Sequence, residues 1–410
     1  MGAANHDEHR VGDYPFCDFK THYQPIVELS SGEIAGYEAL ARRKDADGTF
    51  VTAGDLFFDD QLPREEKLLL DRHLRSMALH QTKRSNHSGF ITLNISPDWI
   101  DGLTQDHNIP TLEMVKRSGV DPSRIIVEIT EHGGSLDNLK RLTKAYQRAG
   151  LKVAIDDFGA GASQIDRVVE LEPDFIKLDM GLFKAAVQGG YAADVVLSIV
   201  SLAQRAGCKI ICEGVETEDE FYFAIECGAD FIQGWLFDPA LPEWLPPQSY
   251  LKHINSMKGG YLQQKSRVLE SCARHNQEVA QTLLGLCRRI DPADALSSIV
   301  ENLAIHEAHR LGVLQFFLCD REGNQISDNV VVAKVCLQLN DKFRGYNWSH
   351  RPYFPLLHAM NHVERNHIVV SEPYRDFGSG KLCKTHGIFL SDECVLLIDV
   401  LTNDVVLFQS

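Results

Sequence analysis

One pattern recurs along the first 240 residues of the chain: a short apolar run, a polar residue at its end, an amphipathic stretch, a glycine, then the next apolar run. The candidate strands are Gly89 to Leu93, Arg124 to Val127, Leu151 to Ile155, Asp174 to Leu178, Lys209 to Cys212 and Ala229 to Ile232. Between them lie helix-like segments such as Asp137 to Ala149, stopped by Gly150, and Thr217 to Cys227, stopped by Gly228. Regular alternation of this kind predicts a parallel sheet, since parallel neighbours need a long crossover between them. The number of units favours an α/β fold of closed (βα)8 type, with an open doubly wound sheet as the alternative.

Each candidate strand ends in a residue wrong for a core and right for a site: Asn94, Glu128, Asp156 with Asp157, Lys177 with Asp179, Glu213 and Gln233. An earlier strand ending near Tyr37 adds Glu38. A lone carboxylate at a strand end is ordinarily a turn residue or helix cap. Here polar ends recur at successive units, and a barrel gathers the carboxyl ends of its strands on one face. Five carboxylates, Glu38, Glu128, Asp156, Asp157 and Glu213, then face one lysine, Lys177. Such a cluster does not stay ionised without cations. Oxygen donors plus an Asn side chain, with no His or Cys, select Mg²⁺ or Mn²⁺, and adjacent Asp156 and Asp157 invite a two-metal site suited to in-line displacement at phosphorus. The net charge of −16 repels polyanions, so a nucleic acid polymer is not an expected partner. The run Asp157 to Gln164, DFGAGASQ, reads as a tight loop beside the site and is a weak phosphate cradle.

Three prolines in LPEWLPPQ, Leu241 to Gln248, place the end of the barrel near residue 250. The expected organisation is a disordered N-terminus over 1–14, the barrel over 15–252, a helical connector over 253–308 and a small α+β domain over 309–410. Ten scattered cysteines form no Cys-x-x-Cys pair, and no apolar run is long enough to span a membrane, which together predict a reduced, cytoplasmic protein.

In order and spacing, Glu38-Ala39-Leu40 with Arg42, Asn94-Ile95-Ser96, Glu128-Ile129-Thr130-Glu131, Asp156-Asp157-Phe158-Gly159, Lys177-Leu178-Asp179, Glu213-Gly214-Val215-Glu216 and Gln233-Gly234 resemble the EAL-domain cyclic di-GMP phosphodiesterases. The resemblance implies a modified TIM-type (βα)8 barrel that hydrolyses cyclic di-GMP to the linear dinucleotide with Mg²⁺ or Mn²⁺ and is inhibited by Ca²⁺. It implies metal ligation by Glu38, Asn94, Glu128 and Asp156, with Asp157 supporting a second ion. Glu213 is then a base or second-metal ligand, Lys177 orients the attacking water, and Glu131 anchors the loop after Asp157. Arg42 meets a substrate phosphate, Gln233 contacts the site and Asp179 lies beside it. Two departures stand out: Ala162-Ser163-Gln164 replaces the usual Tyr-Ser-Ser, and Trp235 replaces a Tyr. They leave open a receptor that binds the nucleotide without turning it over. Acidic strand ends alone would also serve another Mg²⁺-dependent barrel enzyme, such as a lyase.

Asp320 to Gln325, Asn347 to Phe354 and Ser371 to Asp376 resemble PAS-like or Cache-like sensor domains, which implies a small-molecule pocket with Arg351, Tyr353, Tyr374 and Asp376 as ligand residues. A homodimer is the expected assembly.

Overall fold

The computed structural model describes residues 10–12, 14–85, 87–95, 109–130, 135–161, 165–289 and 295–402. Two compact units divide the chain, one ending at Leu262 and one beginning at Gln263.

In the first unit eight strands form a ring: β1 (Phe19–Glu28), β2 (Ile34–Lys44), β3 (Phe90–Ile95), β4 (Ile125–Thr130), β5 (Lys152–Phe158), β6 (Phe175–Leu178), β7 (Lys209–Cys212) and β8 (Phe231–Ile232). From β2 to β8 the neighbours are parallel, as the strand and helix alternation predicts. β1 departs from that rule: it pairs antiparallel with both β2 and β8 and closes the ring. The barrel is therefore closed, and its modification is one reversed strand.

The strand period of two residues divides the interior into layers. Two positions before Glu128, Asp156, Lys177, Glu213 and Gln233 stand Ile126, Ala154, Phe175, Ile211 and Phe231, which pack with Ile26 into one buried cluster. Phe90, Phe175 and Phe231 meet with ring centres 5.8–6.0 Å apart. At Gly36 an added Cβ would collide with the Phe90 ring, so this plug needs a residue without a side chain. The apolar plug thus underlies the polar layer and excludes water from below.

Crossover helices cover the outer wall. In Leu136–Arg148, Leu139, Leu142, Thr143 and Tyr146 are buried, an i, i+3, i+4, i+7 stripe. Helix Glu218–Cys227 starts with a capping box between Thr217 and Glu220 and stops at Gly228, whose φ is 84°. After β8 the wall is covered differently. The proline-rich segment bonds its Leu241 to Tyr23 through both backbone groups, and Trp244 stacks on Tyr37 at 4.5 Å. Tyr37 points outward because its neighbour Glu38 points in.

The expectation of a disordered segment over 1–14 needs correction where the structure describes it. Arg10–Val11 pairs with Tyr14–Pro15, and Val11 is buried with Phe16, Phe19, Leu70 and Leu74. Residues 1–9 and 13 lie outside the described residues.

The proposed connector, 253–308, is likewise not a separate element. Helix Leu251–Cys287 begins in the first unit, and in the second unit Val279, Leu283 and Leu286 join Ile299, Leu303, Ala308 and Leu311 in a core against the sheet. The apolar periodicity that marked a connector is the inner face of a domain. That domain carries an antiparallel sheet containing β9 (Val313–Asp320), β10 (Asn329–Val332), β11 (Leu337–Asn340), β12 (Val369–Val370), β13 (Tyr374–Arg375), β14 (Leu382–Phe389) and β15 (Cys394–Leu401). Helix Tyr353–Val363 packs on it through Phe354 and Leu357. Among the described residues no single helix is long and apolar enough to cross a membrane.

Candidate active site

Lys177 is the centre of the polar layer. Only 1% of it is exposed, and its ammonium group lies 2.6 Å from Glu213, 2.8 Å from Asp156, 3.0 Å from Glu128 and 3.4 Å from Glu38. Four strands supply those carboxylates and a fifth supplies the lysine, so the contact set exists only in the closed ring. Burial alone lowers a lysine's pKa, yet Asp156, Glu128, Glu213 and Glu38 together hold Lys177 well above its ordinary value.

The carboxylates respond unequally. Burial pushes Glu213 up to about 8, with Lys177 opposing and Asp156 and Glu38 adding to the rise. Burial also drives Glu128 well upward, reinforced by the charge of Glu38. For Glu38 burial raises the pKa, but Lys177 and hydrogen bonds from Gln233 (2.7 Å) and Asn94 (3.0 Å) outweigh it and hold the group below the usual range. Without cations the site limits its own charge by keeping protons on some of its acids.

Asp156 and Asp157 are consecutive, and in a regular strand they would face opposite sides. The β5 to β6 register shifts between Ile155 and Phe158, and Asp157 has φ 53°, a left-handed conformation uncommon outside glycine. This bulge brings carboxylate oxygens of Asp156, Asp157 and Glu213 within 4.8 Å of one another. Burial, and next Asp156, push the Asp157 carboxyl up.

The donor set fits hard divalent cations. Both carboxylate oxygens of Glu128 and Oδ1 of Asp156 are buried and accept no hydrogen bond, although Glu128 Oε1 and Asp156 Oδ1 make the ion pairs with Lys177. Buried oxygens without donors are the groups a bound cation would satisfy.

Of the other residues singled out in the sequence, Arg42 lies two side-chain positions beyond Glu38 on the same face of β2 and donates to the Ala41 carbonyl at 2.9 Å. Asp179 is used locally: its Oδ1 accepts from the Leu182 amide at 2.9 Å and caps helix Met180–Val187. Glu131, Ser96 and the variant loop residues Ala162, Ser163 and Gln164 lie outside the described residues. Trp235 is 71% exposed, directly after Gln233-Gly234.

Gln24 joins the site unannounced by the sequence reading. It lies opposite Glu38 in the β1 to β2 ladder, and its Oε1 accepts from Gln233 Nε2 at 3.0 Å. The alternation of buried Phe19, Thr21 and Tyr23 with more open Lys20, His22 and Gln24 was the available signal. In the second unit, Arg351, Tyr353, Tyr374 and Asp376 all line one cavity, with Gln315, Asn329 and Asp399 added to them.

Comparison with known proteins places these features. The family profile described as "EAL domain" matches residues 16–240, and one described as "EAL-domain associated signalling protein domain" matches 248–408. The EAL-domain containing protein YkuI of Bacillus subtilis, itself uncharacterised, is 25% identical over 394 residues, covering 93% of this chain and 94% of YkuI. The crystal structure of YkuI with cyclic di-GMP and calcium aligns with a TM-score of 0.83 over 95% of this chain and 97% of that one. The cyclic di-GMP phosphodiesterase RocR of Pseudomonas aeruginosa is 30% identical over 234 residues, which is 55% of this chain and 58% of RocR.

Proposed function

This chain belongs to the EAL-domain family, and from that premise we propose that it hydrolyses cyclic di-GMP to the linear dinucleotide pGpG, under the control of a sensor domain formed by its C-terminal unit. The observation that carries the reading is the acidic layer itself: carboxylates from separate strands converge on one buried lysine, and Glu128 Oε2 stays buried with no donor among the described residues.

In this reading Glu38, Asn94, Glu128 and Asp156 would hold one Mg²⁺ or Mn²⁺, and Asp157 would support a second. When bound, such ions supply charge neutralisation at the scissile phosphate and acidify water. The protein's own groups do the positioning. Gln233 and Asn94 fix both oxygens of Glu38, so its carboxylate cannot rotate away from the site. Lys177, anchored by its acidic neighbours, orients the attacking water and offers positive charge to the transition state. Glu213 takes the proton from that water, and Arg42 receives a substrate phosphate on the same face of β2. The apolar plug keeps bulk water from entering below, so the nucleophile comes from the open face.

The test is chromatography of cyclic di-GMP incubated with the full chain and Mg²⁺ or Mn²⁺, with and without Ca²⁺, beside Glu38→Ala. Metal-dependent pGpG that disappears in Glu38→Ala and is suppressed by Ca²⁺ supports the hydrolase. Nucleotide that binds and stays intact makes the chain a receptor instead. Turnover by the full chain that does not differ from that of residues 1–262 would remove the regulatory part of the reading. The ten cysteines are all free, which agrees with a reducing, cytoplasmic setting.

A further inference from the structure

In a regular parallel ladder one residue bonds a carbonyl and an amide that lie two residues apart on the neighbouring strand. At the end of β7 that interval is three. The Gln233 amide donates to the Cys212 carbonyl at 2.9 Å, and the Gln233 carbonyl accepts from the Val215 amide at 3.0 Å. One extra residue therefore fits between the two bonds, and Glu213-Gly214 forms an arch with both feet on Gln233. Gly214 makes the turn with φ 67°, and the Met180 side chain fills the space where its Cβ would lie. From this arch the Glu213 carboxylate reaches Lys177 at 2.6 Å.

The far foot of the arch is braced. Leu236 donates to the Val215 carbonyl at 2.9 Å, and Gly234 packs so closely that an added Cβ would lie 2.0 Å from the same oxygen. Beyond Val215 the brace is a side chain. Glu220 Oε2 accepts from the Thr217 amide at 2.9 Å and from the Glu216 amide at 2.7 Å. A capping box requires only the first of these bonds, the one from the N-cap residue. The second reaches one residue further back, outside helix Glu218–Cys227 and next to Val215. Glu220 is 9% exposed, and a carboxylate that accepts two amides at a helix N-terminus is a charge-assisted acceptor favoured by the dipole.

We propose that Glu220 is a positioning residue for Glu213: it fixes the exit of the arch on which Glu213 stands, and so fixes where Glu213 meets Lys177 and the attacking water. The proposal rests on the hydrolase reading, in which Glu213 takes the proton from that water. A misplacement of about 1 Å at such a group costs up to roughly 100-fold in rate. Substrate binding uses other groups, so the cost falls on kcat rather than on KM.

The experiment is a double-mutant cycle on the full chain, read as cyclic di-GMP turnover with Mn²⁺. Glu220→Ala should lower kcat by about tenfold or more with KM within about twofold of the parent. Glu220→Gln keeps an oxygen for both amides and should restore kcat. In a Glu213→Gln background Glu220→Ala should change kcat by less than about twofold, because Glu220 acts through Glu213. The same fold-loss in both backgrounds, or no loss in the parent background, overturns the proposal. Near-ultraviolet circular dichroism identifies a variant that has lost its fold, and Glu220→Asp, which keeps the charge and shortens the reach, then takes the place of Glu220→Ala. Hydrogen exchange adds an arm that needs no turnover. In Glu220→Ala the Val215 amide, which bonds Gln233 and not Glu220, should exchange faster by about tenfold or more, and Glu220→Gln should restore its protection. Faster exchange confined to Glu216 and Thr217 makes Glu220 a helix cap alone and overturns the proposal. A parent chain that leaves cyclic di-GMP intact refutes the hydrolase reading instead, and the Val215 amide still decides whether Glu220 holds the arch.

Discussion

Lys177→Met removes the cation that, among the described residues, touches the carboxylates of Glu38, Glu128, Asp156 and Glu213, and replaces it with an apolar chain of similar length. Glu38 then loses its largest counter-charge and has only the hydrogen bonds of Gln233 and Asn94 to set against its burial. Breaking a buried pair by removing one partner costs about 3–5 kcal/mol, because the remaining charge is left desolvated and unbalanced. With 1% exposure at Lys177, water cannot screen the loss. The expected outcome in chelator is a urea midpoint shifted by that amount relative to the parent. Divalent cations should reverse much of it. At about 100 times its dissociation constant a ligand specific for the folded state contributes roughly 2.7 kcal/mol, and the variant should gain more from Mn²⁺ than the parent, since Mn²⁺ then supplies the missing positive charge. The assay is equilibrium urea unfolding of both proteins, in chelator and in saturating Mn²⁺. A loss below about 1 kcal/mol in chelator, the range of exposed ion pairs, would refute the claim that Lys177 balances the layer. Equal stabilisation of both proteins by Mn²⁺ would refute the claim that cation and lysine neutralise the same oxygens.

Three further outcomes are expected. His386 is 2% exposed with neither ring nitrogen bonded, and burial lowers its pKa from 6.5 to about 4. The unfolded chain therefore takes up the proton first, so the contribution of this residue is complete above pH 6.5 and is lost as pH falls toward 4, on the order of 3 kcal/mol in all. Hydrogen exchange across Leu382–Phe389 should show the stability difference between His386→Leu and the parent changing by that amount between pH 7.5 and 4, and a constant difference would count against it. In helix Leu251–Cys287, Gly259→Ala meets open space and should raise the melting temperature through about 1 kcal/mol of helix propensity, whereas Gly260→Ala collides with the Tyr222 hydroxyl and should lower it. Arg42→Ala should reduce cyclic di-GMP kcat/KM at least 100-fold with the melting temperature within 2 °C of the parent, because its one side-chain hydrogen bond goes to a neighbouring carbonyl; unchanged kcat/KM would remove Arg42 from the site.

Much of the barrel was legible because its signal is local. Each of six apolar runs became a strand within a few residues of its expected bounds, and Glu128, Asp156, Lys177, Glu213 and Gln233 fell where those runs ended. What escaped depends on partners far away in the chain. β1 contains Pro25 and half-buried polar residues, and only its pairing with β2 and β8 makes it a strand and brings Gln24 to Glu38. The convergence of Asp156 and Asp157 needs a bulge that no residue type announces. Asp179 shows the opposite limit, since a carboxylate beside a site and a helix cap have the same sequence signature. In the C-terminal unit the aromatic and charged residues were visible, but the hydrogen bonds that link Trp348 to Asp399 run through the side-chain amides of Gln325, Asn329 and Gln315, whose spacing carries no period.

The reversed strand also sets a clock for the nascent chain. Its hairpin with β2 forms from residues close in sequence, whereas its other edge finds partners only when Phe231 and Ile232 are made. At about 5–20 residues per second, that interval of roughly 200 residues lasts on the order of 10–40 s. Throughout it an extended edge is open to foreign strands, with Pro25 withholding one donor from any wrong partner. The strand that closes the acidic layer is therefore the last of the barrel to leave the ribosome, and a chain stalled before residue 231 should be a client for chaperones that shield bare strand edges.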